Sequence, residues 1–281
     1  MVTVIRVLVA ALVLIATNVS AQDFQGVATY KSKTKIDIQL DSTQVSSGLQ
    51  DQVMEMMKKQ FEKTYLLNFN KSESTYREDE ELGAPQAPGV QMVMVGMGSG
   101  SDVLYKNTKE NRYTNQNEAF SKLFLIKDEL EDYEWELGTE TKNIGEYTCY
   151  KATFTREVEV RESGMSINGD KDLDELETKK EMRTTTAWYT PQIPVNNGPR
   201  NFQGLPGLIL EVNDGQTTLI CSKIVLNPKE KVKITEPKKG KEVTQEEFDK
   251  IMEKKMKEME ERYRRPEGER DGQTFEIRIG G

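Results

Sequence analysis

The stretch from Trp188 to Gly215, WYTPQIPVNNGPRNFQGLPGLILEVNDG, constrains what this chain can fold into more than any other segment. Pro191, Pro194, Pro199 and Pro206 are interleaved with Gly198, Gly204 and Gly207, and Leu205 and the apolar run Leu208 to Val212 complete the segment. Proline fixes φ and removes an N–H donor, while glycine opens backbone geometries closed to other residues. The segment therefore predicts one rigid loop path instead of slack linker. Gly204, Pro206 and Gly207 are expected to set the angle at which the next strand enters its sheet. Burial decides the role of the rest: a crossing packed on the sheet is scaffold, whereas one presenting Trp188, Tyr189 and Phe202 to water is a ligand or partner surface. Asp214-Gly215 predicts a two-residue turn. Folding about it pairs Val212 with Thr217, Leu210 with Leu219 and Leu208 with Cys221. Leu208, Leu210, Val212, Leu219 and Cys221 then share one face, with Ile209 and Ile220 on the other, as in a hairpin covered on two sides.

The first residues point to export. Met1 to Ala21 has a basic start at Arg6, an apolar core from Val7 to Ala16, and Val19-Ser20-Ala21 before Gln22. Small residues there fit a signal-peptidase pocket, and the core is short for a bilayer span. A cleaved leader over 1–21 and a single domain over 22–281 are expected, located in the periplasm or at the outer membrane or cell surface. No later segment has the length and apolarity of a transmembrane helix. The chain carries 39 basic and 47 acidic residues, a net charge of −8. Such a balance repels phosphate backbones and argues against nucleic acid as a partner.

Period-two alternation predicts strands over Gly26 to Leu40, Tyr65 to Phe69, Val90 to Val95, Val103 to Lys106, Arg112 to Thr114, Leu123 to Ile126, Tyr133 to Leu137 and Tyr147 to Thr155. Turn residues fill Gly138 to Gly145. The segment near 78–100 reads as flexible, and Ser163 to Lys180 as an exposed charged insertion. Two amphipathic helices are expected. One begins at Ser47 and ends near Lys63, with Leu49, Val53, Met57 and Phe61 in a stripe. The other is capped by Thr244 and Glu247 and carries Phe248, Ile251, Met252, Met256, Met259 and Tyr263. Thr274 to Gly281 alternates as a last strand. The expected fold is mainly β (α+β): a curved antiparallel sheet or half-barrel with both helices packed on it.

Histidine is absent, which removes the commonest general base and zinc ligand. Met92, Met94 and Met97 have no His or Cys beside them and read as gap-filling apolar residues. From Asp170 onward the acids lack the Gly at the sixth and the Glu at the twelfth position that a calcium loop requires. No metal or other cofactor is expected. Tyr133, Glu134, Trp135 and Glu136 resemble a sugar platform with acids beside it, although the alternating residues of a strand explain them better. Cys149 and Cys221 form an even pair in an exported chain and are a disulfide candidate closing a long loop, while Cys221, on an apolar hairpin face, is also suited to pack as a lone thiol.

The strand YTCYKATF followed by Ala187 to Pro191, Ile193-Pro194, Gly198-Pro199, Phe202 and Gly204-Leu205-Pro206-Gly207-Leu208-Ile209-Leu210 resembles the GLPGLI family of exported Bacteroidetes proteins, a Porphyromonas gingivalis-type family. The resemblance implies secretion and carries no established activity or catalytic residue. No catalytic residues are expected from it. The function expected is non-enzymatic binding of an apolar ligand or an envelope partner in the hollow of the curved sheet. The alternatives are a carboxylate-based envelope hydrolase and a structural or assembly protein.

Overall fold

Fourteen strands and one helix make up the computed structural model, which describes residues 24–35, 62–79, 102–161, 164–166, 178–263 and 276–278. In chain order the strands are β1 (Gln25–Thr34), β2 (Thr64–Asn70), β3 (Glu73–Glu78), β4 (Val103–Asn107), β5 (Arg112–Ala119), β6 (Lys122–Glu129), β7 (Glu136–Ile144), β8 (Tyr147–Arg161), β9 (Gly164–Ser166), β10 (Thr178–Thr190), β11 (Leu208–Asn213), β12 (Thr217–Leu226), β13 (Lys241–Val243) and β14 (Glu276–Arg278). The helix α1 spans Gln245–Tyr263. Twelve strands form one open sheet in the order β13-β6-β5-β4-β3-β2-β1-β12-β11-β10-β8-β7, and β14 pairs with β9 separately.

Alternation explains the strands. In β1, Gly26, Ala28, Tyr30 and Ser32 are buried while Lys31 and Lys33 face water. Side chains from β1, β2, β3, β4, β5 and β6 join Cys149, Leu208, Leu210 and Cys221 in one core cluster, so the sheet curls around its own interior. A second contact requires the same curvature. Strands β4 and β11 stand five places apart, about 24 Å along a flat sheet, yet Lys106 of β4 hydrogen bonds the loop that leads into β11. Capping of α1 follows the expected box: Glu247 N donates to Thr244 Oγ1 (3.2 Å) and Thr244 N to Glu247 Oε2 (3.0 Å). Phe248 packs edge-on against Phe124, and Ile251 and Met252 follow it onto the core, while Met256 is exposed.

Several expectations need correction. The sheet is mixed, because β13 runs parallel to β6, and its order ends at β13 and β7 without closing into a barrel. Strand β13 reaches that edge from an extended segment and not from a hairpin, so nothing forces it antiparallel. One helix is present among the described residues. The other expected helix, Ser47 to Lys63, lies outside them except for its last two residues, which are not helical. The leader 1–21, residues 80–100 of the flexible segment and most of the charged insertion also lie outside. Tyr133 to Trp135 is irregular, and the strand begins at Glu136 and runs through the expected turn. Gly138, Thr139 and Glu140 are absorbed as a bulge between the Leu137–Ala152 and Thr141–Tyr150 pairs.

The β11–β12 hairpin is slipped by two residues from the expected register, pairing Val212 with Leu219 and Asn213 with Thr218. Asp214 Oδ1 accepts from Gln216 N (3.0 Å) and Thr217 N (2.7 Å), and Asn213 Oδ1 accepts from Gly215 N (2.8 Å), which widens the turn. A slip of two preserves which side chains share a face. A second irregularity, between Trp188 and Tyr189 in the β10 pairing, sends Val212 to a different cluster from Leu210.

Candidate functional site

The proline-glycine crossing occupies residues 191–207, between β10 and β11, and is packed onto the sheet. Ile193, Val195, Asn197, Gly198, Pro199, Leu205 and Gly207 are buried, whereas Pro191, Pro194, Gly204 and Pro206 face solvent. Its backbone is tied to the strand it feeds: Leu208 N donates to Ile193 O (2.9 Å) and Ile209 N to Asn197 O (3.0 Å). Gly207 lies against the end of β10, where a Cβ would stand 2.2 Å from Thr190 O. The strand Leu208 to Val212 is covered on both sides. Leu208 and Leu210 join the main cluster with Ile193 and Val195, while Ile209 and Val212 join Leu205, Ala187 and Tyr189 in a second one.

That second cluster is extended by aromatic rings. Tyr133 lies 5.0 Å from Phe154 and 5.6 Å from Phe202, and Trp135 meets Phe154 edge-on at 4.8 Å. Trp135 Nε1 donates to Gln203 O (2.8 Å), and Gln203 Nε2 to Glu131 O (2.7 Å). Tyr133 and Trp135, considered as a sugar platform, are thus spent on holding the crossing. Of the three residues considered as a joint partner surface, Tyr189 is buried and Phe202 is half-buried in this cluster. Trp188 packs on the main cluster beneath Lys142 Nζ, 4.4 Å from its ring, and Lys142 is paired with Glu211. The structure divides the three between two clusters.

The least expected feature is Lys106, which is completely buried. Its Nζ donates to Gly198 O (2.8 Å) and Phe202 O (3.1 Å), pinning the crossing across the hollow of the sheet. Desolvation pulls its pKa from 10.5 down to about 7. A neutral amine retains two N–H groups, which suffice for the two carbonyls. Ser74, directly across from Lys106 on β3, and Tyr76 two residues further hold buried hydroxyl oxygens with no partner. The sequence signal for Lys106 was present: in the alternating run Val103 to Lys106 it shares a face with Leu104.

Cys149 and Cys221 are both buried and free. Each Sγ donates within its own strand, Cys149 to Tyr147 O (3.7 Å) and Cys221 to Lys223 O (3.5 Å). Thiol titration of denatured, unreduced protein should find both free; a titre near zero would restore the bridge.

On the convex side, Arg112 pairs with Glu236 through both nitrogens (2.7 and 3.3 Å) and with Glu110 (2.6 Å). Tyr105 Oη donates to Glu73 (2.6 Å). Both glutamates are held below the usual carboxylate range, Glu73 chiefly by the Tyr105 hydrogen bond and Glu236 chiefly by Arg112. Neither is suited to donate a proton at neutral pH. Asp102 moves the other way through burial, while accepting from Asn117 Nδ2 (2.8 Å). Among the described residues no cluster of three or more Cys, Asp or Glu is placed to hold a metal, and no helix is long and apolar enough to cross a membrane.

The fold and site define a mainly β protein in which a proline-glycine crossing is clamped inside an open curved sheet. Residues 135–211 match the family model described as a protein of unknown function (Porph_ging), the Porphyromonas gingivalis-type family that the motif resembles. Among curated proteins none matches the chain. Two solved structures of PNGF-II, in C2 and P21 space groups, are similar at 14% and 13% identity with TM-scores of 0.46 and 0.48. In both cases 82% of this chain aligns with 33% of the other, so the chain spans about a third of their length.

Proposed function

We propose that this is an exported, non-enzymatic binding protein that engages an envelope partner through its outer surface, with the crossing as internal scaffold. The carrying observation is the packing of the hollow. Tyr30, Leu67, Phe69 and Lys106 line its face and are buried by the chain itself, and Ile193 and Val195 of the crossing fill it from the opposite side. Of the two occupants expected for the hollow, an apolar ligand and an envelope partner, this packing favours the partner, engaged from outside. The ionised state of Glu73 and Glu236 weighs against a hydrolase built on that pair, because general-acid chemistry needs one carboxyl kept protonated.

Native mass spectrometry of protein purified from its own envelope tests the proposal. The mass of the chain without lipid, together with no enhancement of an apolar fluorescent dye, is the expected result. A lipid retained at one per chain would reverse it in favour of a carrier.

A further inference from the structure

Residues 227–240 run from the end of β12 to β13 as an extended strap over the convex side of the sheet, and they carry charge of the opposite sign to the chain as a whole. Lys229, Lys231, Lys233, Lys238 and Lys239 are all exposed, as is Lys241 just beyond, against Glu230 and Glu236 within the strap and Glu242 after it, in a chain of net charge −8. Glu236 is turned onto the sheet, where Arg112 and Thr114 Oγ1 (2.6 Å) hold it. Among the described residues none of the six lysines is in an ion pair.

The strap is fixed along its length. Asn227 N donates to Gln25 O (2.8 Å), Val232 N to Gln25 Oε1 (3.0 Å), Glu236 is clamped by Arg112, and Lys241 begins the pairing with β6. Val232 and Ile234 are half-buried, so alternation turns Lys229, Lys231 and Lys233 outward together. At the same end of the sheet the exposed Lys71, in the turn between β2 and β3, extends the basic rim, while exposed Lys109 between β4 and β5 is offset by exposed Glu110 beside it. Exposed Val225 lies just before the strap.

We infer that this rim docks the protein onto an anionic lipid surface. It specifies the partner class for the outer-surface engagement proposed above and rests on that reading. The positive charges of the strap are lysines throughout, point charges without the planar fork by which arginine selects individual carboxylates or phosphates. A fixed row of point charges suits a broad field of headgroups, and clusters of four to eight such residues are what anionic membranes attract. The acidic remainder of the protein is repelled by the same surface, which orients the molecule rim-down.

Vesicle flotation tests this with full-length mature protein, using phosphatidylglycerol-containing and purely phosphatidylcholine vesicles. Two variants are compared: Lys229, Lys231, Lys233 and Lys238 all changed to Ser, and, as an equal charge change elsewhere, Lys31, Lys33, Lys122 and Lys223 all changed to Ser. The wild type should bind anionic vesicles only and release as salt rises. The rim variant should bind up to about 1,000-fold more weakly, with an unchanged thermal midpoint, while the control variant stays within a few-fold of wild type. Equal weakening in both variants would show net charge at work and overturn the assignment. Failure of the wild type to float would overturn it too, as would binding to soluble polyglutamate without binding to vesicles, which would indicate an acidic protein partner. Neither failure alters the native-mass result, so the outer-surface reading is tested separately.

Discussion

Gly207→Ala is expected to lower stability by about 3 kcal/mol or more, which for a domain of this size is a fall in Tm of roughly 6–12 °C. The added Cβ would lie 2.2 Å from Thr190 O, 2.5 Å from Thr190 C and 2.8 Å from Pro191 N. These are backbone atoms, at the corner where β10 turns into the crossing, so no side chain can swing aside to relieve the overlap. Either the Thr190–Pro191 corner or the start of β11 must move. Moving β11 disturbs Leu208 and Ile209, both completely buried and each contributing about 1.5–3 kcal/mol through burial. Gly145→Ala is the informative comparison. Gly145 has φ +60° and nothing within 4 Å of an added Cβ, so its cost is limited to the left-handed backbone, about 1 kcal/mol. Equal losses at the two positions would mean that close approach at Gly207 is unimportant.

The second large effect is on pH dependence. Between about pH 7 and 10.5 the unfolded chain holds the Lys106 proton and the folded chain does not, so folding is favoured as pH rises, by up to about 1.4 kcal/mol per unit. Below pH 7 both states are protonated and the cost of burying the charge is paid in full. Cys149 and Cys221 act oppositely. Burial pushes their thiols up to about 11 and about 12, so above about pH 9 the unfolded state loses protons that the folded state retains, and stability falls. Denaturant titrations should therefore show stability climbing by about 2–3 kcal/mol from pH 7 to 9 and then declining. Lys106→Met removes the climb and retains the decline. It also leaves Gly198 O and Phe202 O without their donor, at about 1–3 kcal/mol each, so the readout is the shape of the profile more than its height. A Lys106→Met profile as steep as wild type between pH 7 and 9 would assign the effect to another group.

Much of the framework was legible in the residues. The crossing announces itself because proline and glycine act locally, and burial of Ile193 and Val195 with exposure of Pro194 follows from the alternation IPV. The helix from Gln245 was readable for the same reason: its cap, acids and apolar stripe lie within one short window. What escaped was non-local or polar. Strand β3, ESTYRE, has too few apolar residues to signal a strand, and its place between β2 and β4 comes from pairing on both sides. The hairpin register depended on how the side chains of Asn213 and Asp214 bond the turn backbone, which the Asp-Gly pair alone does not specify. Lys106 was visible as an alternating position, but its partners lie 92 and 96 residues away on the crossing. The strap carries no sequence signal of its own, because Lys229 to Lys241 has the composition of a solvated linker. Its fixed path comes from Gln25, Arg112 and β6, all distant in sequence.

Hydrogen exchange at the Leu208 and Ile209 amides tests the central claim, that the crossing is an internal part of the sheet's core. Both donate to carbonyls of the crossing, Leu208 to Ile193 O and Ile209 to Asn197 O. If the crossing is clamped as described, both amides exchange only through global unfolding, as slowly as those of Tyr30 and Leu67. Exchange of Leu208 and Ile209 through a low-energy local opening, while β1 and β2 stay protected, would show that the crossing lifts off the sheet independently and would contradict the account.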